Sequence, residues 1–253
     1  MNFIKFLGTA GARFVMIRQL RASGGMWFEV NDTRMLVDPG PGCLVRVNKS
    51  RPPLKSSYLD AIFVSHKHID HTNDVNVMIE AMTDGGFNKK GILFCPHEAL
   101  ENPPVIFPYA LKFLEKVIEV SASSFYKVKE LDIKIPLLMR HQTETYGFII
   151  ESKNLPSIGY IPDTEFFPEI ITAYKGTDIL IVNVVFSQPR PGVMHLGLPE
   201  ALEIITEVKP KKAILTHFGM TMLKERIWEK TEHLSKQTFI DIIAASDGMT
   251  FKL

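Results

Sequence analysis

The sequence predicts an α/β protein in which sheets are faced by helices. Short apolar or alternating runs rich in Val, Ile and Phe suit strands, and they outnumber segments with helical spacing. The two kinds interleave, which argues against a helical bundle or a pure β barrel. The final strand-like runs follow long helices, so one architecture over residues 1–253 fits better than two independent domains.

Taken in order, the strand-like runs are Phe3–Leu7, Met26–Val30, Met35–Val37, Ala61–Val64, Ile92–Cys95, Phe125–Val128, Ile133–Leu138, Tyr146–Ile150, Ser157–Ile161, Ile179–Val185, Ala213–Thr216 and Phe239–Ile243. Between them, Val75, Met78, Ile79 and Met82 recur on one helical face, with Thr72 or Asn73 as the expected cap. Ala110, Leu111, Leu114, Val117 and Ile118 show the same spacing, as do Phe167, Ile170, Ile171 and Tyr174. Leu198, Leu202, Ile205 and Val208 form a further face, with Pro199 in the first turn and Pro210 past the end. Met220, Leu223, Ile227 and Leu234 mark a late, charged helix. Loops are expected at Asp38–Gly42, Pro52–Pro53 and Asn102–Pro104.

With 45% hydrophobic residues, the chain can build a large core. Lys and Arg total 29 against 28 Asp and Glu, a balance that argues against a surface built wholly for nucleic acid but leaves room for a local basic site. Cys43 and Cys95 provide no disulfide framework and suit a reducing compartment. The opening MNFIKFLGTAGARF is too short in its apolar run for a signal peptide and is broken by Lys5. The apolar run Ile179–Phe186 is interrupted by Asn183, and no stretch approaches the roughly 20 apolar residues of a membrane span. A soluble cytoplasmic protein with no membrane partner is the expectation. A homodimer is the default if it assembles.

The informative residues are the histidines, which fall at strand ends. Ala-Ile-Phe-Val-Ser runs into His66-Lys67-His68-Ile69-Asp70-His71; other runs end in His141, Asp163 and His217, and Met-Leu-Val ends in Asp38. Strand ends are where a rigid scaffold delivers functional groups. In extended backbone His66 and His68 face one side and can grip one ion, while the turn that follows re-aims Asp70 and His71 toward a second. Imidazole and carboxylate ligands suit zinc, and also manganese or iron. So dense a cluster cannot be satisfied as ordinary core. His97 in a proline loop, His233 on a charged helix and Lys67 inside the motif read as ordinary solvated residues.

This constellation resembles the metallo-β-lactamase superfamily across nearly the whole chain, through LVDPGPG, SHKHIDH, the later His141, IPDT and LTHFG in that order. The resemblance implies a four-layer αββα sandwich with two divalent metal ions, zinc foremost, at one edge of the two sheets. By position His66, His68 and His141 would hold one ion, Asp70, His71 and His217 the other, and Asp163 would bridge them. Asp38 would steady the ligand loops.

Within the superfamily, MRHQTETYGFII around His141 is more similar to the tRNase Z and cyclic phosphodiesterase branch than to the Thr-Pro-Gly-His-Thr-Pro-Gly context of glyoxalase- and thioesterase-like members. FLGTAGAR, IPDT and TDILIVNVVF also look like that branch. His195, before a predicted helix, matches the branch's extra histidine and is the expected proton donor, the alternative being a helix-start histidine at the pocket rim. Two departures stand out. Only Gln142–Pro162 separates His141 from Asp163, so the long tRNA-binding arm of many tRNase Z enzymes is absent. Asn183 stands where the branch has a glutamate that orients the extra histidine.

The expected activity is hydrolysis of a small or cyclic phosphodiester by a metal-bridging hydroxide, with Asp70 both a ligand and a partner of the attacking water, and His195 or a water protonating the leaving oxygen. The alternatives are a carboxyl-ester, thioester or lactone hydrolase, an RNA-processing nuclease and, least favoured, a non-catalytic metal or ligand sensor. Gly8–Gly11 is either a loop close to the site or an ordinary turn, and Phe107, Tyr109, Phe166 and Phe167 are either pocket wall or core.

Overall fold

The computed structural model describes residues 2–253. The first half of the chain runs β1 (Phe3–Phe6), α1 (Ala12–Ile17), β2 (Met26–Val30), β3 (Thr33–Val37), α2 (Cys43–Asn48), β4 (Ala61–Phe63), α3 (Ile69–Thr72), α4 (Val75–Met82), β5 (Ile92–Cys95), α5 (Pro108–Leu111) and β6 (Lys116–Glu119). The second half runs β7 (Ser124–Val128), β8 (Leu131–Ile135), β9 (Phe148–Glu151), β10 (Ile158–Ile161), α6 (Glu169–Tyr174), β11 (Ile179–Asn183), α7 (Leu198–Val208), β12 (Lys212–Thr216), α8 (Met220–Lys224), α9 (Ile227–Thr238), β13 (Asp241–Ala244) and β14 (Thr250–Lys252).

The strands form two seven-stranded sheets, ordered β14-β1-β2-β3-β4-β5-β6 and β13-β12-β11-β10-β9-β8-β7. Alternation along each strand sends one set of side chains between the sheets and the other toward helices. Met26, Phe28 and Val30 point inward with Phe63, Phe148, Ile179 and Ile181. Trp27, Leu36, Ile62 and Leu93 point outward onto Val47, Met78 and Ile79 of the helices. On the far side Leu180, Val182 and Leu215 pack on Ile170, Ile204, Ile205 and Leu234. The result is the expected four-layer αββα sandwich. Among the described residues no helix is long and apolar enough to cross a membrane.

Strand direction decides where the functional loops emerge. β3, β4 and β5 are parallel neighbours, and so are β10, β11 and β12. β8 is antiparallel to β9, which is antiparallel to β10, so β8 and β10 run the same way. The segments after β3, β4, β8, β10 and β12 therefore leave from C-terminal strand ends and carry Asp38, His66, His141, Asp163 and His217.

Several elements differ from the periodicity reading. Val117 and Ile118 lie in β6, not in a helix, because β5 offers an open edge and Leu93 takes Val117 as its register partner. β-branched residues fit that pleat well. The late helix is two, α8 and α9, broken at Arg226 in the left-handed region (φ 53°). Met222 and Ile227 are both buried, and a continuous helix would place residues five apart on different faces. Thr72 is not the cap of α4; Asp74 takes that position, while the Thr72 hydroxyl donates to the His68 carbonyl at 2.9 Å. α7 matches its reading: the Glu200 carboxylate accepts the Gly197 N–H at 2.8 Å, and Lys209 ends the helix with φ 56°.

Candidate metal centre

Asp38 organises the centre. It sits at φ 51° after β3, a conformation Asp tolerates, and it is 4% exposed. Its Oδ1 accepts the Ser65 backbone N–H at 2.7 Å. Its Oδ2 accepts the Ser65 hydroxyl at 2.8 Å, the Tyr160 hydroxyl at 2.8 Å and His71 Nδ1–H at 3.0 Å. These bonds dictate tautomers. The Ser65 hydroxyl donates to Asp38, so at 3.0 Å it can only accept from His66 Nδ1–H. His141 Nδ1 lies 2.8 Å from the Met194 carbonyl, which can only accept. Neutral His66, His71 and His141 therefore each present a bare Nε2 lone pair.

Those lone pairs converge. His68 Nδ1 lies 3.1 Å from His66 Nε2 and 3.1 Å from His141 Nε2. Ligands of a tetrahedral zinc stand about 3.3 Å apart, given metal–nitrogen distances of about 2.0–2.1 Å. A second group joins Asp70, His71 and His217, and a third joins His66, His71 and Asp163; within each, the ligand atoms lie within 4.8 Å of one another. Asp163 Oδ2 is 3.6 Å from His71 Nε2 and 3.3 Å from His217 Nε2, while Asp70 Oδ2 is 3.5 Å from His217 Nε2. His71 Nε2 and His217 Nε2 are buried without a hydrogen-bond partner. Orphaned imidazole nitrogens facing carboxylates are what a cation would satisfy, so the donor set fits a divalent metal.

Electrostatics divide the imidazoles. Burial lowers the pKa of His66 strongly and of His68 and His141 less, which keeps them neutral. At His71 burial also opposes the charge, but Asp70, Asp38 and Asp163 outweigh it and hold the ring well above its ordinary value. Burial would raise Asp163, yet His217 and His195 hold it well below the usual carboxylate range.

His195 joins this group rather than standing apart. Its Nε2 is 3.2 Å from Asp163 Oδ2, and Asp163 raises its pKa against the opposing effect of burial. Asn183 does not take over the orienting role of the branch's glutamate. Its amide donates to Asp163 Oδ1 at 2.9 Å and to the Tyr160 hydroxyl at 3.3 Å, and His195 Nδ1 is buried without a partner. Asn183 steadies the shared carboxylate instead.

The Gly8–Gly11 segment is more than an ordinary turn. Ala10 bridges to Phe218, and a Cβ on Gly11 would stand 1.9 Å from the His217 carbonyl oxygen. Gly8 and Ala10 line a cavity of about 30 Å³ together with Asp70, His71 and His217. Phe167 is core, with the Arg140 guanidinium over its ring, and Phe166 packs against that core. Phe107 and Tyr109 stack on each other at the surface. Lys67 pairs with Glu98 at 3.0 Å, and His97 lies between Glu101 and Glu119 in the open. Sequence reasoning missed Ser65, Tyr160 and the Met194 carbonyl. Ser65 at least abuts the motif; Tyr160 on a strand and a backbone oxygen carry no signal in residue type.

The family described as Beta-lactamase superfamily domain matches residues 33–218. An uncharacterized protein of Methanocaldococcus jannaschii is 32% identical over 256 residues, covering 99% of this chain and 94% of its own length. A ribonuclease Z of Thermoplasma acidophilum is 28% identical over 158 residues, which is 61% of this chain and 50% of that protein. The metallo-beta-lactamase fold protein YhfI of Bacillus subtilis superimposes with a TM-score of 0.81 at 19% identity, covering 100% of this chain and 99% of that one. Matched by that family over most of its length and sharing the fold of such proteins, the chain belongs to the beta-lactamase superfamily and is a metal-dependent hydrolase with sequence similarity to ribonuclease Z.

Proposed function

We propose that the chain, acting as one catalytic unit over residues 1–253, is a dinuclear phosphodiesterase for a small or cyclic phosphodiester. One observation carries this reading: Asp163 Oδ2 lies within 3.6 Å of both His71 and His217, and the Asp163 carboxylate also groups with His66 beside the His66–His68–His141 set. His66, His68 and His141 would hold one ion, Asp70, His71 and His217 the second, and Asp163 would touch both. The nitrogen-rich donors favour zinc. When bound, two such ions supply Lewis-acid chemistry, acidifying water and offsetting charge on phosphoryl oxygens.

The chain's own residues do the rest. Asp38 holds His71 and, through Ser65, His66 in the tautomers that point Nε2 inward. Asn183 keeps the Asp163 carboxylate from rotating. Asp70 accepts a hydrogen bond from the attacking water, and His195, raised in pKa beside Asp163, gives its Nε2 proton to the departing oxygen.

Similarity to ribonuclease Z favours RNA as a second reading of the diester. Against it, residues 142–162 are used for the His141 loop, β9 and β10, with no arm between them. Metal analysis should find two ions per chain, and bis-p-nitrophenyl phosphate should be hydrolysed. His68→Ala and Asp163→Ala should each lower kcat by about 10³ or more with the circular dichroism spectrum unchanged. A panel of cyclic and linear diesters, RNA, lactones and thioesters ranks the substrates. No turnover of any diester by fully metallated protein would refute the reading.

A further inference from the structure

A second cleft, of about 500 Å³, opens between β1, α2 and the Asp247–Gly248 turn, and it is lined by Lys5, Arg46, Lys49, Ser50, Arg51 and Gly248 with two apolar residues and no carboxylate. Its volume is in the range of sites for small ligands. Lys5 is 3% exposed, and its three N–H donors go to the Arg51 carbonyl at 2.7 Å, the Gly248 carbonyl at 3.1 Å and the Thr250 hydroxyl at 3.0 Å. All three acceptors are neutral. A buried ammonium with hydrogen bonds but no ion pair adds uncompensated positive charge to the cleft wall, and burial pulls its pKa down. Arg46, Lys49 and Arg51 are exposed and, among the described residues, form no ion pair. The chain as a whole is nearly neutral, so four cations without an ion pair around one hollow that holds no carboxylate concentrate positive charge there. Ser50, also in the lining, has a buried hydroxyl with no partner.

We propose that this cleft is a binding site for a phosphoryl group, separate from the metal centre. Arg46, Lys49 and Arg51 supply the charge-assisted donors, with the guanidinium forks suited to phosphate oxygens. Lys5, whose donors are already used, contributes charge and ties the Arg51 wall to the Gly248 wall. The cleft also adjoins the catalytic side of the fold. Leu7 lines it and the next residue, Gly8, lines the metal-centre cavity, while Asp247, next to Gly248, accepts the Thr9 N–H at 2.9 Å and the Ala22 N–H at 2.7 Å. The phosphoryl group belongs either to a phosphorylated small molecule or to a nucleic-acid strand, and the test has an arm for each.

The metal-loaded protein is titrated with inorganic phosphate, adenosine 5′-monophosphate and a ten-nucleotide single-stranded RNA, following backbone amide chemical shifts. Saturable shifts at Lys49, Ser50, Arg51 and Gly248 are expected, with an isotherm distinct from that of the His66–His71 loop. Replacing two charge-assisted donors in Arg46→Ala/Lys49→Ala should weaken that isotherm by about tenfold or more. The metal-loop isotherm and bis-p-nitrophenyl phosphate hydrolysis should stay unchanged. Binding of the monophosphate as tight as that of RNA assigns a small molecule. Tighter RNA binding, with a salt slope that falls by about 1.4 in the double variant, assigns a strand. Absent shifts at the cleft, or an isotherm the double variant leaves alone, overturn the proposal.

Discussion

At the scale of single residues, the two halves of the centre should differ in their sensitivity to acid. His66, His68 and His141 are held neutral by burial, so an ion there displaces no proton at neutral pH. His71 is held charged in the metal-free fold by Asp70, Asp38 and Asp163 acting against burial. Its folded pKa exceeds its unfolded one, so its charged form stabilises the metal-free protein below the unfolded value, and that contribution disappears as pH rises through the folded value. Asp163 behaves the other way: its contribution is present above its unfolded pKa and is lost as pH falls through the depressed folded value. An ion in the second group must therefore expel the His71 proton. Metal content measured against falling pH should step from two ions to one before reaching none, with about one proton released per second ion bound. Simultaneous loss of both ions would contradict this. The tautomer logic behind it was only half legible in sequence. Residue types named the candidate ligands, but which ring nitrogen is bare depends on Ser65 beside His66 and on Asp38 and the Met194 carbonyl, which the fold brings in from other segments.

At the scale of elements, the close approach of the β1 loop to the segment after β12 has a sharp consequence. Gly11 N–H donates to the Phe218 carbonyl at 3.0 Å, Phe218 N–H donates to the Thr9 carbonyl at 2.8 Å, and there is no room for a Cβ on Gly11 beside the His217 backbone. Gly11→Ala should push His217 off the second group. The expected outcome is loss of the second ion and a fall in kcat of at least about tenfold, with stability lowered by roughly 1–3 kcal/mol in urea denaturation. Retention of both ions would show that the loop yields instead. Long elements were readable: α7 carries a full apolar stripe, a first-turn proline and a terminal stop. Short ones were read unevenly. α6, six residues long, showed its face through Phe167, Ile170, Ile171 and Tyr174, whereas α1 and α2, of the same length, bury too few residues for a period to emerge, and β6 was masked by an accidental helical spacing of Val117 and Ile118.

At the scale of the whole molecule, the inter-sheet core and the candidate metal centre are in contact through Phe148 and Tyr160. Phe148 packs edge-on to Phe63 at 4.9 Å and to Phe28 at 5.9 Å, and lies 5.4 Å from Tyr160, whose hydroxyl holds Asp38. Phe148→Ala should cost about 3–5 kcal/mol through the lost burial and the cavity left behind. Because Tyr160 loses its neighbour, metal affinity should fall with it. In calorimetry the gap between the melting temperatures of metal-loaded and chelated protein should shrink relative to wild type. An unchanged gap would mean that the core and the centre are independent. The sequence by itself determined the fold class, the family and the candidate ligand residues, because the alternation of apolar residues and the order of strand-end histidines can be read along the chain. Tertiary structure alone decided that Asn183 serves Asp163 rather than His195, that the Gly8–Gly11 loop backs His217, and that Lys5, Arg46, Lys49 and Arg51 share one unneutralised cleft. Those outcomes depend on which strand ends and turns become neighbours across and between the two sheets, and neighbours distant in the chain leave no period, cap or spacing to read.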